Sequence, residues 1–395
     1  MSLQSRERGR GVARYYQSIE SCVNDMVTFT KQLIVPLSWF AKITLTNTRQ
    51  LSATMATDCV KSLMYKDYGD PVSILEVTTQ TIDRPASDEV SVKWLLSPIN
   101  PADINTLQGK YPSRPPLPAV PGNEGVGEVV AVGSDVKNLC VGDRIVPNGP
   151  NLGTWRTQAN YNFKDVSKVP SHLSLIEASM LNVNPCTAYR MLKDFVPLKP
   201  GDTVIQNGGN SAVGQLVIQL CKLWNYKSVN IVRNRPEIQE LKAQLTALGA
   251  DEILTEGELR TTQLFKSGKL PAPKLALNCI AGQNALDVSR HLAHSGVMVT
   301  YGGMSREPMT IPVASLIFKD LSFRGFWMTA WTKANMESEE RTVMFDELAN
   351  YFKEKKLQTP AYKLVPFDEY QEAISCAVNF GGRTGLKYIL DMTKF

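Results

Sequence analysis

Apolar positions change their spacing part-way along the chain. Residues 58–184 read as mostly β: Val90–Leu96 is a predicted strand, residues 125–133 alternate small and β-branched side chains, and Asp143–Pro147 follows a turn at Gly142. From Pro185 onward, short apolar runs begin near Val204, Ser228, Ile253, Leu275 and Val297. Between them lie stretches with helical spacing, such as Glu237–Leu248 and Gln283–His294. Leu321–Trp327 supplies a sixth strand, Glu337–Lys356 reads as helix, and the tail returns to mixed structure ending in residues 385–390. Strand and helix in regular alternation predict an α/β fold with a doubly wound (Rossmann) parallel sheet, joined to a mostly-β domain. No internal repeat or low-complexity block interrupts this order.

The sharpest change of period falls between Thr203 and Leu220. An apolar run passes through Asn207-Gly-Gly-Asn-Ser211, after which Val213, Leu216, Val217, Leu220 and Leu223 share one helix face. Strand, glycine turn and helix in that order present free backbone N–H groups to a pyrophosphate, although the glycine spacing is not a regular G-x-G-x-x-G. The next apolar run, Ser228–Val232, ends in Arg233-Asn234-Arg235 with no acidic residue. In a dinucleotide fold an acid there would bind the ribose hydroxyls of NAD, whereas arginine accommodates the 2′-phosphate of NADP. NADPH is the predicted cofactor; the alternative is a pair of solvated arginines capping a strand. Tyr301-Gly302-Gly303-Met304 follows the fifth strand, at the sheet edge where ligands of such folds bind.

Composition adds limits. A length of 395 residues, 43% hydrophobic and 21% charged, accommodates two ordinary soluble domains. The net charge of +5 is concentrated at residues 1–57, where Arg6, Arg8, Arg10, Arg14, Lys31, Lys42 and Arg49 face only Glu7, Glu20 and Asp25. The rest is close to neutral, so charge offers no case for nucleic-acid binding. Residues 27–57 hold no acid and many hydroxyls, the composition of an organelle transit peptide, which predicts the mitochondrial matrix. The apolar run 33–43 is too short to span a bilayer. Seven scattered cysteines without a C-x-x-C pair suit free thiols. A proline-rich loop is predicted from Pro98 to Pro118, stiff enough to hold a catalytic side chain.

Gly122-Asn-Glu-Gly-Val-Gly127, Val141-Gly-Asp143 and the late Rossmann pattern resemble the medium-chain dehydrogenase/reductase superfamily. Asn100-Pro-Ala-Asp103, Asn184-Pro-Cys-Thr-Ala-Tyr189, Asn210–Val213, Val232–Pro236, Tyr301–Met304 and Arg324–Trp327 sharpen the resemblance to its mitochondrial trans-2-enoyl-thioester reductases, over roughly residues 61–392. The resemblance implies a targeting segment at 1–57, a GroES-like catalytic domain at 58–184, an NADPH-binding domain at 185–327 and a return to the catalytic domain at 328–395. Where zinc-dependent members have a cysteine and a histidine, this chain has Asn100 and Asn123, poor zinc ligands, so metal-free chemistry is expected. The three histidines, His172, His291 and His294, have no ligand spacing to cysteine.

The implied reaction is NADPH-dependent reduction of trans-2-enoyl thioesters of acyl-carrier protein or CoA, the last step of mitochondrial fatty acid synthesis. Tyr111 matches the family's proton donor; a tyrosine merely packed on the surrounding prolines is the alternative. For the cofactor the resemblance implies Asn184 near the nicotinamide, Asn210, Ser211, Ala212 and Val213 at the pyrophosphate, and Arg233, Asn234 and Arg235 at the 2′-phosphate. Tyr301, Gly302, Gly303, Met304, Phe326, Trp327 and Met328 would flank the nicotinamide, with Lys387 arriving from the C-terminal segment unless it is a solvated strand lysine. A homodimer is expected, with the apolar stretch 308–318 as either interface or core. Competing readings are an NADPH quinone oxidoreductase of the same superfamily and a non-catalytic NADPH-binding regulator.

Overall fold

Two sheets and one ribbon organise residues 58–379 and 386–395, the residues described by the computed structural model. The expected targeting segment, 1–57, lies outside them. β1 (Asp58–Met64) and β2 (Glu76–Ile82) form the antiparallel ribbon. β3 (Glu89–Pro98), β4 (Val126–Val132), β5 (Arg144–Pro147), β6 (Gln158–Asn162) and β7 (Val166–Lys168) build most of the first sheet. Its long central strand buries Val90, Val92, Trp94 and Leu96, and the indole of Trp94 donates to Tyr161 Oη at 2.8 Å. A buried indole usually finds such a partner, and this bond ties β3 to β6 inside the sheet.

The second sheet is wholly parallel. β8 (Thr203–Asn207), β9 (Lys227–Val232), β10 (Glu252–Thr255), β11 (Leu275–Asn278), β12 (Val297–Thr300) and β13 (Ser322–Gly325) lie in the order β10-β9-β8-β11-β12-β13. That is the doubly wound arrangement expected from the alternating pattern. The winding direction reverses between β8 and β11, which opens a crevice at their carboxyl ends. β14 (Tyr362–Pro366) and β15 (Lys387–Asp391) return to the first sheet, where β15 pairs with β3.

The helix Ala212–Leu223 buries Leu216, Val217, Leu220 and Cys221 against Leu275, Leu277 and Val299 of the parallel sheet. Each large aliphatic side chain so buried stabilises by about 1.5–3 kcal/mol, enough to fix the helix and the turn before it. The helix Glu339–Lys353 adds Met344, Leu348, Ala349 and Phe352 to the same core. Its buried Arg341 reaches back to Asn148 Oδ1 and Ser167 Oγ, both at 2.9 Å, linking this helix to the first sheet.

Two sequence expectations change. The stretch from Pro98 to Pro118 is not all loop, because Pro101–Leu107 is a helix. Pro101 occupies the first turn, where a missing N–H costs nothing, and Asp103 Oδ2 accepts from the Asn100 amide at 2.7 Å. Proline there starts a helix; it does not prevent one. The helix expected over Gln283–His294 runs only Gly282–Ser289, and the amides of His291 and Leu292 bond three residues back in a tightening turn.

Candidate active site

The crevice between β8 and β11 begins with Gly208 at φ 62°, and a Cβ there would sit 2.6 Å from Cys279 Sγ. Gly214 is equally constrained: its Cβ would lie 2.5 Å from the Gly208 carbonyl, so the helix can start directly against the turn. Ser211 caps that helix, its Oγ accepting from the Gly214 amide at 3.1 Å. Asn210 is buried, and Ala212 and Val213 open the first turn. After β9, Arg233 and Asn234 are exposed and Arg235 is half-buried. Arg233 lines a cavity of about 220 Å³ together with Ile280, Ala281, Asn284 and Ser305. A glycine turn at a helix N-terminus, followed by two guanidinium groups, fits a phosphorylated dinucleotide.

The residues expected around the nicotinamide come from β12 and β13. The Tyr301 amide donates to Asn278 O and the Met304 amide to Cys279 O, both at 2.9 Å. Gly303 is exposed, with open space where a side chain would project, and Gly302 could not carry a Cβ without pressing on Cys279 O at 3.1 Å. Phe326, Trp327 and Met328 divide. Phe326 packs edge-on against Phe195 at 5.9 Å, and Met328 is buried in the large core. Trp327 turns outward to meet Tyr111.

That meeting brings the two sheets' loops together. Trp327 Nε1–H donates to Tyr111 Oη at 2.8 Å, with the rings edge to face at 6.0 Å. Tyr111 is therefore more than a ring resting on prolines. Arg114 supports its loop, donating to the carbonyls of Gly109 and Tyr111 while its guanidinium lies 5.6 Å from the Tyr68 ring centre. Burial raises the pKa of Tyr111 above the ordinary 10.0, the Asp103 charge adds to the rise, and the donated N–H of Trp327 opposes it. The phenol stays protonated at neutral pH.

Beneath it lies a charged cluster that sequence reasoning missed. Lys387 is buried, which removes the solvated alternative; its Nζ donates to Asn100 Oδ1 and to Ile99 O. Asn100 Nδ2 donates to Glu124 Oε2 at 2.7 Å, while Glu124 Oε1 accepts from the Val183 amide at 2.9 Å. Asn184, also buried, points its Nδ2 at Asn100 Oδ1 from 3.5 Å. Asp103 Oδ1 accepts from both the amide and the side chain of Asn123, at 3.0 and 2.6 Å. Burial pushes Glu124 up to about 7 and Asp103 up to about 6, against the pull of the Lys387 ammonium, and it lowers the Lys387 amine. Both acids sit inside the motifs Asn100–Asp103 and Gly122–Gly127. A carboxylate set between glycines in an apolar context was the available signal.

Among the described residues, no three His, Cys, Asp or Glu side chains are arranged to hold a metal ion, and no helix is long and apolar enough to cross a membrane. The amides of Asn100 and Asn123 are engaged with Glu124 and Asp103.

Residues 86–170 match the family described as alcohol dehydrogenase GroES-like domain, and residues 212–349 the family described as zinc-binding dehydrogenase. Together with the doubly wound sheet and its glycine crevice, these matches define a nicotinamide-nucleotide oxidoreductase of the medium-chain class. The rat protein named mitochondrial enoyl-[acyl-carrier-protein] reductase is 45% identical over 348 residues, covering 87% of this chain and 92% of its own. Among solved structures, a complex of Etr1p with NADP and crotonyl-CoA superposes with a TM-score of 0.78 at 35% identity, over 85% of this chain and all of that one. The Etr1p/Etr2p heterodimer of the mitochondrial 2-enoyl thioester reductase from Candida tropicalis gives a TM-score of 0.79 at 34% identity, with the same coverage. The chain belongs to the mitochondrial enoyl-[acyl-carrier-protein] reductase family.

Proposed function

We infer that the chain reduces trans-2-enoyl thioesters, carried on acyl-carrier protein or CoA, with NADPH in the mitochondrial matrix as the last step of fatty acid synthesis. The observation that carries this reading is the Tyr111 phenol, protonated and fixed by Trp327 at the carboxyl edge of the parallel sheet. Asn210–Val213 would hold the pyrophosphate, Arg233 and Arg235 the 2′-phosphate, with Asn234 between them. Tyr301–Met304, Asn184 and Lys387 would border the nicotinamide. When bound, NADPH supplies the hydride that adds to Cβ. Tyr111 hydrogen-bonds the thioester as negative charge develops on it and gives Cα its proton. Trp327 donates to the phenol oxygen, so that bond does not use the phenol's own O–H. In this division of labour residues 58–184 and 328–395 provide the acid and residues 185–327 the nucleotide site.

The apolar stretch 308–318 supplies a candidate interface for a second copy of the chain. Val313, Leu316, Ile317 and Phe318 are 66%, 46%, 66% and 75% exposed, beside the edge strand β13. A clustered apolar surface flanking an unpaired sheet edge is where a second copy of the chain would pair. The proposed homodimer places these four residues at its interface.

With 2-hexenoyl-CoA the chain oxidises NADPH, a quinone does not substitute, and Tyr111→Phe lowers kcat by roughly 10²–10⁴-fold while the Kd for NADPH holds. In the unaltered enzyme the alkaline loss of kcat from Tyr111 sets in at higher pH than for an ordinary phenol, since burial raises its pKa above 10.0. An active phenylalanine variant would remove Tyr111 from the mechanism, and NADPH binding without turnover would favour the regulator. Joint replacement of Arg233 and Arg235 by alanine raises KM for NADPH far more than for NADH; equal rises would contradict a 2′-phosphate contact. Phe318→Glu shifts the sedimentation coefficient from dimer to monomer, and an unchanged dimer would place the interface elsewhere.

A further inference from the structure

We propose that Asn207 and Asn278 are positioning residues for the dinucleotide, acting through a strained peptide at Ala281; this rests on the cofactor reading above. The two side chains lie fully buried at the carboxyl ends of β8 and β11, on either side of the crevice. Asn207 Nδ2 donates to Asn278 Oδ1 at 2.7 Å and to Asn284 Oδ1 at 2.8 Å, while Asn207 Oδ1 accepts from the Cys279 amide at 2.7 Å. Asn278 Oδ1 also accepts from the amides of Ile280 and Ala281, at 3.3 and 3.0 Å. Three consecutive backbone amides are thus held by two side-chain oxygens. Neither side chain can turn over without setting an NH₂ group against an N–H donor.

The clamp has a specific load. Ala281 stands at φ 70°, ψ −158°, a region that in practice only glycine occupies. A side chain persists there only where its surroundings over-determine the backbone, which the two asparagines do. The bend sets both ends of the cofactor crevice. Ile280 and Ala281 wall the cavity that Arg233 lines. The carbonyls of Cys279 and Ile280 accept from the amides of Met304 and Ser305, each at 2.9 Å, and so seat the loop that borders the nicotinamide. Apolar residues at 207 and 278 could be buried in the sheet as readily; they could not hold this loop.

The test is a double-mutant cycle read by NADPH titration of intrinsic fluorescence on the full chain, with thermal unfolding measured in the absence of NADPH. Asn278→Ala raises the Kd for NADPH about tenfold or more, because the loop relaxes and must be bent again on binding. Ala281→Gly raises the unfolding temperature and binds NADPH at least as tightly as the unaltered chain. The double variant returns the Kd to within about threefold of the unaltered value, since glycine takes up the bend without the clamp. Should Asn278→Ala not fold, Asn278→Ser with and without Ala281→Gly is read in the same way. An unchanged Kd in the Asn278 variant, or a double variant no tighter than the single, overturns the proposal. No NADPH binding by the unaltered chain would instead refute the cofactor reading.

Discussion

The hydrogen bond from the Trp327 indole to the Tyr111 phenol joins loops of the two sheets, and the proposed proton transfer depends on it. Trp327 follows β13 of the parallel sheet and Tyr111 stands on the loop beyond the helix Pro101–Leu107, and their contact holds these two segments together. A neutral hydrogen bond of this kind contributes only about 0.5–1.5 kcal/mol net. Its importance is directional. By occupying a lone pair of the phenol oxygen, the indole fixes the ring and leaves one donor hydrogen to use. Burial then keeps that hydrogen in place at neutral pH.

A costly arrangement of buried charge accompanies this contact, with Asp103 near enough to Tyr111 to raise its pKa. Ionised groups taken out of water need partners, and a buried pair that loses one member leaves an uncompensated charge. Here one ammonium, Lys387, stands among two carboxyl groups, with Asn100 as the neutral bridge to Glu124. The raised pKa of each acid shows how strongly burial works against their charges. Asn100 and Asn123 sit at the centre of this network and spend their amides on it. Hydrogen-bonded asparagine is suited to that role because it is neutral and can donate and accept at once.

Much of this was legible in the sequence. The doubly wound sheet followed from the change of period, and all six of its strands lie where apolar runs begin; those at its centre, such as β8 and β11, are buried along their whole length. The turn at Gly208–Ser211 and the helix after it were legible from the glycines and the change of period. What escaped had no periodic signature. The helix Pro101–Leu107 hid behind a proline that starts a helix as readily as it ends one. Asp103, Glu124 and Lys387 come together from separate segments, and Asn207 and Asn278 from strands 71 residues apart. Contacts at such separations depend on tertiary packing, which local pattern does not encode.

The most direct measurement is the fate of label in the product of crotonyl-CoA reduced in D₂O with unlabelled NADPH. Proton delivery from Tyr111 predicts one deuterium, at Cα, in a single stereochemical configuration, with Cβ carrying only the cofactor's hydrogen. In any residual product of the Tyr111→Phe enzyme, deuterium at Cα loses that single configuration. Stereospecific deuteration at Cα that persists without the phenol would contradict the account at its centre.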